Sequence, residues 1–213
     1  MFNSCYPKIA TFFKRDPATN FKTVLVGQYA TPVFEYLAFS EFEWSEKYDG
    51  TNIRVVFDGI TVTFGGKTDA AQIPAKLFTH LAREFTIDTL TKVLDPTKLS
   101  PECPAVLYGE GVGAGIQKRG EQYGSVQHFV LFDIAVGGMF LRRTHVEDIA
   151  YHMGINITPI VGIGNMWEAV LFARGNKDIE GVVCRPREEL QDRLGNRIIT
   201  KLKYQDFSHP SKL

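Results

Sequence analysis

Cysteine is scarce in this chain. Cys5, Cys103 and Cys184 are odd in number and far apart, which argues against a disulfide framework or a cysteine-built zinc site and suits a reducing compartment. There is no surplus of charge: Lys+Arg and Asp+Glu number 24 each. A chain without a basic field must meet any nucleic-acid partner through a local patch. No run of about 18 apolar residues exists, so no membrane span is expected. Residues 1–10 lack the apolar core of a signal peptide. Together these absences predict a cytoplasmic protein. No Walker A sequence occurs. Gly109, Gly111, Gly113 and Gly115 alternate instead of following G-x-G-x-x-G, so a dinucleotide fold is not supported. The five histidines (His80, His128, His145, His152 and His209) lack zinc-ligand spacing. There is no internal repeat and no low-complexity linker.

The composition that is present is that of a globular domain. Of 213 residues, 44% are hydrophobic and 23% charged, enough to bury a core. Period-2 alternation runs through residues 23–27, 42–46, 53–57 and 60–64, with Asp58-Gly59 as a hairpin turn between the last two. Residues 106–110, 129–135, 179–185 and 197–204 read as further strands. Pro74 opens a helical pattern carrying Leu77, Phe78, Leu81 and Phe85. Thr144-His145-Val146-Glu147 reads as a capping box for a helix that reaches Met153 and stops at Gly154. Residues 166–174 form another helical stretch ending at Gly175. A charged, helix-prone loop separates the last two strands. Hairpins with interspersed helices favour an α+β fold of mainly antiparallel sheets with flanking helices.

The segment richest in chemistry is Glu46-Lys47-Tyr48-Asp49-Gly50-Thr51-Asn52. It places a lysine between two strand-like runs, where an amine can be held rigidly. To attack, that amine must shed its proton, which neighbouring cations or desolvation promote. Later segments follow in order: Gly65-Gly66-Lys67, Tyr108-Gly109-Glu110-Gly111, Phe129 through Ile134 including Phe132, Glu180-Gly181-Val182-Val183, and Lys201-Leu202-Lys203. Period-2 spacing puts the two lysines of the last segment on one strand face.

This order resembles the covalent nucleotidyltransferases, and specifically the ATP-dependent RNA ligase family in its phage RNA ligase 2 and kinetoplastid editing-ligase branch. Asn52 in a Gly-Thr-Asn run, where DNA ligases and capping enzymes usually carry arginine, and Gly115-Ile116-Gln117 select that branch. The resemblance implies a ligase/capping-type (ATP-grasp-like) nucleotidyltransferase domain over residues 1–213. It implies joining of 5′-phosphate and 3′-hydroxyl ends through a lysine–AMP intermediate and an adenylylated 5′ end. Lys47 would attack ATP and hold AMP. Lys201 and Lys203 would neutralise the phosphate and favour the unprotonated Lys47 amine by like-charge repulsion. Glu180 would bind Mg²⁺ (or Mn²⁺). Glu110 would hold ribose hydroxyls or support the metal. Phe132 would stack on adenine, Glu46 would frame it, and Asn52 would contact the AMP phosphate or the donor 5′-phosphate. Lys67 stands where the family usually has arginine, which keeps the charge and loses the bidentate geometry.

The family carries a C-terminal domain beyond the Lys-x-Lys strand; here residues 204–213 follow it. The expectation is a bare adenylylation domain without an OB or helical C-terminal domain, acting on RNA (nicked duplex or RNA–DNA hybrid), with a protein partner replacing the missing surface. If phage-encoded, it would work in the host cytoplasm. Candidate basic residues are Lys118 and Arg119, then Arg185, Arg187, Arg193 and Arg197, although Glu188, Glu189 and Asp192 make the second group read as a solvated face. Two alternatives stay open: a GTP-using capping-type guanylyltransferase, and a non-catalytic nucleic-acid-binding module of the same fold.

Overall fold

A computed structural model describes residues 5–207; residues 1–4 and His209 fall outside them. The chain divides into two compact units, one of residues 8–48 and 159–207, the other of residues 5–7 and 49–158. The first unit opens with β1 (Ala10–Thr11), β2 (Phe13–Arg15), β3 (Val24–Tyr29), α1 (Pro32–Tyr36) and β4 (Phe42–Lys47). The second contributes β5 (Thr51–Phe57), β6 (Val62–Gly65), α2 (Ala75–Glu84), α3 (Ile87–Leu90), β7 (Ala105–Val112), β8 (His128–Val136), β9 (Met139–Phe140), α4 (Arg143–Met153) and β10 (Asn156–Ile157). The chain re-enters the first unit with β11 (Ile160–Gly164), α5 (Met166–Gly175), β12 (Gly181–Pro186) and β13 (Thr200–Lys203).

The first unit holds a five-stranded sheet in the order β1-β13-β12-β4-β11 and a separate β2-β3 pair. Only β1 on β13 is parallel in that sheet. Strand alternation sends Phe42, Trp44, Val182, Cys184 and Leu202 to one face, where Met166, Ala169, Val170 and Ala173 of α5 cover them. Full burial of each larger apolar side chain among them, such as Phe42, Val182, Leu202 or Met166, adds about 1.5–3 kcal/mol. Asn165 caps α5: its side chain accepts from the Trp167 and Glu168 amides, and Glu168 reaches back to the Asn165 amide. This capping box has Asn in place of Ser/Thr, which the sequence reading passed over.

In the second unit, β6-β5-β7-β8 is antiparallel, β9 pairs antiparallel with β8, and β10 joins β8 in parallel. Ile53, Val55, Phe57, Leu107 and Leu131 pack under Leu77, Leu81 and Phe85, with Val146 and Ala150 of α4 in the same core. On the opposite face Val106, Tyr108 and Ala135 gather Tyr6, Val56, Phe132 and Phe140. The fold is therefore α+β, with sheets that are mostly antiparallel. Among the described residues no helix is long and apolar enough to cross a membrane.

Two local expectations fail. Thr144 does not cap α4. The cap position is Arg142, with no side-chain bond, because buried Arg143 draws the helix start back. The Arg143 guanidinium donates to Thr158 O at 2.6 Å and pairs with Glu147 at 2.8 Å, so Glu147 cannot close the box. Gly154 does end the helix, at φ 66, a left-handed conformation that glycine adopts without steric cost. The second failure is the loop between β12 and β13, which contains no helix. The Asp192 carboxylate accepts from the amides of Leu194 and Asn196 and folds the loop into a turn.

Helical spacing does not by itself separate Leu77 from Phe78: the first is 0% exposed and the second 49%. Leu77→Ala should lower the unfolding free energy by about 2–5 kcal/mol. Phe78→Ala, losing mainly its edge contact with Phe64, should cost about 1 kcal/mol or less. Urea titration of both variants measures the contrast.

Candidate active site

In the first unit, three neighbouring strands converge on one carboxylate. β12 lies between β4 and β13, and Gly181 is in register with Lys47 on one side and Lys203 on the other. Residues in register point to the same face, so Lys47, Lys201 and Lys203 all lie on the sheet face opposite α5. Glu180, immediately before β12, places Oε2 2.5 Å from Lys47 Nζ and Oε1 2.5 Å from Lys203 Nζ. The three side chains are 14–23% exposed. Burial alone would raise the Glu180 carboxyl, but Lys47 and Lys203 outweigh it and hold it below the usual carboxylate range.

Lys201 is two residues from Lys203 and in register with Val183 and, on the edge strand, Thr11. Desolvation, then the positive charges of Lys203, Lys47 and Arg15, lower its amine to about 8 against the pull of Glu180. Arg15 was not singled out in the sequence; it lies outside every motif, and only the fold brings its charge to bear on Lys201. Glu46 is adjacent to Lys47 but pairs with Val182, so alternation turns it to the opposite face, where burial raises its carboxyl.

In the second unit, Asn52 and Glu110 are directly in register on β5 and β7. The Asn52 Oδ1 is buried with no hydrogen-bond partner, an acceptor or dipole left for something else to meet. Phe132 lies beside the register shift of β8 and is half-buried, its ring edge-on to Tyr6 at 5.1 Å. Lys67 is exposed in the loop after β6. Arg54, two residues after Asn52 on the same strand face, is buried, pairs with Asp69 and donates to Cys5 Sγ at 3.0 Å. The Asp49-Gly50 turn is fixed within this unit: the Asp49 amide donates to Tyr123 Oη at 3.0 Å, and Gln117 Nε2 donates to Gly50 O at 3.3 Å. A Cβ on Gly50 would meet Gly111 O at 2.3 Å, so the turn requires glycine.

Of the six candidate basic residues, Arg185, Arg187 and Arg197 are ion-paired. Arg187 pairs with Glu41 at 3.0 Å, Arg197 holds both oxygens of Glu189 at 2.9 and 2.6 Å, and Arg185 lies 3.8 Å from Glu189 and 4.0 Å from Glu43. That group is an ion-paired face.

The family model described as RNA ligase matches residues 40–203, from β4 through the Lys-x-Lys strand. The chain belongs to the RNA ligase family. Among solved structures it is similar to Naegleria gruberi RNA ligase. A mutant with AMP and Mn is 18% identical at a TM-score of 0.60, covering 93% of this chain and 57% of that one. A mutant with ATP and Mn gives 18%, 0.61, 93% and 57%, and the enzyme with PPi gives 18%, 0.61, 93% and 61%. At this identity the likeness establishes the shared fold, and the chain spans about three fifths of the length of those ligases. Curated protein sequences gave no match.

The lowered Lys201 amine has a consequence for stability. A depressed folded-state value means that the unfolded chain binds more protons between about 8 and 10.5. Stability therefore rises with pH across that window, and the Lys201 contribution is lost as pH falls through about 8. Lys201→Met should raise the melting temperature at pH 7 and remove the Lys201 share of that rise, as read from melting curves between pH 7 and 10.5.

Proposed function

We propose that this chain is an ATP-dependent RNA ligase of the lysine–AMP type, and that Lys47 is its nucleophile. The observation that carries this reading is the Glu180 carboxylate held between Lys47 and Lys203, with Lys201 on the same sheet face. In the first step Lys47, its ammonium proton released to solvent, attacks the α-phosphorus of ATP as a neutral amine and gives up a second N–H proton to solvent. A P–N bond forms, the bond to the β-phosphate oxygen breaks, and pyrophosphate leaves. Glu180 accepts a hydrogen bond from the Lys47 amine and orients it. Lys201 and Lys203 supply positive charge where the phosphorane oxygens gain negative charge, the role of preorganised donors in phosphoryl transfer. AMP then passes to a 5′-phosphate, and a 3′-hydroxyl displaces it to seal the strand.

For the second unit we infer, from the family pattern, that Glu110 holds the ribose hydroxyls and Phe132 stacks on adenine. Asn52 and Lys67 contact phosphate. The buried, unpartnered Asn52 Oδ1 supports a polar ligand there. Glu46, expected to frame the adenine, is turned to the α5 side of the sheet and away from the Lys47 face, so no adenine contact is assigned to it. The ring of Phe132 is half-buried, which suits a stacking surface.

A divalent cation fits the donor set in a limited way. Among the described residues no group of three or more His, Cys, Asp or Glu could hold a metal, so the protein offers no cage. Glu180, or Glu110, would hold Mg²⁺ or Mn²⁺ with the remaining ligands drawn from phosphate and water, as suits a hard cation. Bound there, the ion would neutralise phosphate charge and assist pyrophosphate departure. RNA is the proposed polynucleotide, in nicked duplex or RNA–DNA hybrid form. A protein partner is proposed to add to the RNA-binding surface.

Incubation with ATP and Mg²⁺ should add one AMP to the intact protein by mass spectrometry, and Lys47→Ala should abolish the adduct. Glu180→Ala should slow its formation by at least about 100-fold. An AMP adduct that persists in Lys47→Ala overturns the reading. A GMP adduct in preference to AMP would point to capping-type chemistry, and no adduct with either nucleotide to a binding module.

A further inference from the structure

Lys203 is held at more than its ammonium group. The Lys203 amide donates to Asp206 Oδ2 at 3.1 Å, and the next amide, of Tyr204, donates to Glu180 O at 3.0 Å. Asp206 lies in the 3-10 turn Tyr204–Phe207 that follows β13, and its side chain is 1% exposed. A carboxylate this buried requires a counter-charge, and Arg15 provides one: Nη1 lies 2.6 Å from Asp206 Oδ1. The same Nη1 donates to Lys22 O at 3.2 Å. Arg15 ends β2, whose partner strand is β3, so the chain from Arg15 to Asp206 ties the β2-β3 pair to the end of β13 within one unit.

We propose that Asp206 and Arg15 are positioning residues that fix Lys203 against Glu180 for the adenylylation step. The proposal deepens the function proposed above and rests on it. Asp206 fixes the backbone from which the Lys203 side chain projects, while Glu180 fixes the neighbouring amide and the ammonium group. Lys203 is thereby held at both ends. Arg15 neutralises the buried carboxylate so that it remains an acceptor for the Lys203 amide instead of competing for the Lys203 ammonium. Its second effect is electrostatic. The groups acting on Lys201 are Lys203, Lys47, Arg15 and Glu180, and Arg15 is the one cation among them that carries its own buried carboxylate partner.

A clamp that only stabilised the turn would leave the placement of Lys203 unchanged in the molecules that remain folded. The experiment therefore reads placement and rate separately. Wild type, Asp206→Ala and Asp206→Asn are treated briefly with acetic anhydride, and peptide mass spectrometry gives the acetylation rate of Lys203 relative to exposed Lys98 of the other unit. In parallel, the rate of AMP attachment per folded molecule is measured across ATP concentrations. Asp206→Ala should raise the Lys203 to Lys98 ratio several-fold and lower the maximal adenylylation rate by about 10- to 100-fold, as expected for a displaced catalytic group. Asp206→Asn keeps an acceptor for the Lys203 amide and should recover part of both. An unchanged ratio in folded Asp206→Ala, or an unchanged rate, overturns the proposal. Should Asp206→Ala fail to fold, Arg15→Gln is read the same way, with a raised ratio and a reduced rate expected and unchanged values overturning it. If wild type takes no nucleotide at all, the proposed function falls, while the acetylation ratio still reports whether the clamp holds Lys203.

Discussion

The candidate site rests on one electrostatic constraint: three lysines on a single sheet face need an anion between them. Lys47, Lys201 and Lys203 come from β4 and β13, which are not neighbours, and Glu180 is delivered by the residue just before β12, the strand that separates them. Like charges brought this close repel, and partial burial strengthens the repulsion by removing solvent screening. The Glu180 carboxylate offsets it with two short charge-assisted bonds. The register that delivers those bonds is set by the opposite face of the same strands, where Val182, Cys184, Leu202 and Trp44 are buried against α5. A one-residue slip would exchange the two faces. The hydrophobic core of this unit and the lysine cluster are therefore the two sides of one register.

A second constraint is close approach of backbone in the other unit. Gly50 lies against the Gly111 carbonyl, and the loop after β7 reaches the Asp49-Gly50 turn through Gln117 and Tyr123. The glycine of the Lys-x-Asp-Gly pattern thus has a steric reason, and the Gly-Ile-Gln segment has a hydrogen-bonding one.

The legible parts of the sequence were those governed by short-range rules. Period-2 alternation located β3, β4, β5 and β6 to within a few residues, because a strand with one buried face alternates, while short apolar runs located β7 and β8, which are buried on both faces. The Gly154 stop was also readable. The α4 cap was not, because buried Arg143 finds partners at Thr158 and Glu147, and tertiary burial of a charge outweighs a local cap. The very short strands β1, β2, β9 and β10 were not legible; two or three residues carry no period. The arginines near β12 showed as a charge run, but the acids that meet Arg187 and Arg185 include Glu41, just before β4, and Glu43 in it.

The sequence by itself determined the inventory and order of the chemistry: a lysine before Asp-Gly, two carboxylates beside glycines, and a Lys-x-Lys pair. Residue type and local spacing suffice for that, and they were enough to indicate the family. The tertiary structure decided what each group meets. It seated Glu180 between Lys47 and Lys203, turned Glu46 to the other face, and brought Arg15 and Asp206, 191 positions apart, to the end of the lysine strand. Interaction between charges falls with distance in space, and separation along the chain has no bearing on it. Only the folded register converts a list of charged residues into an arrangement with chemical consequences.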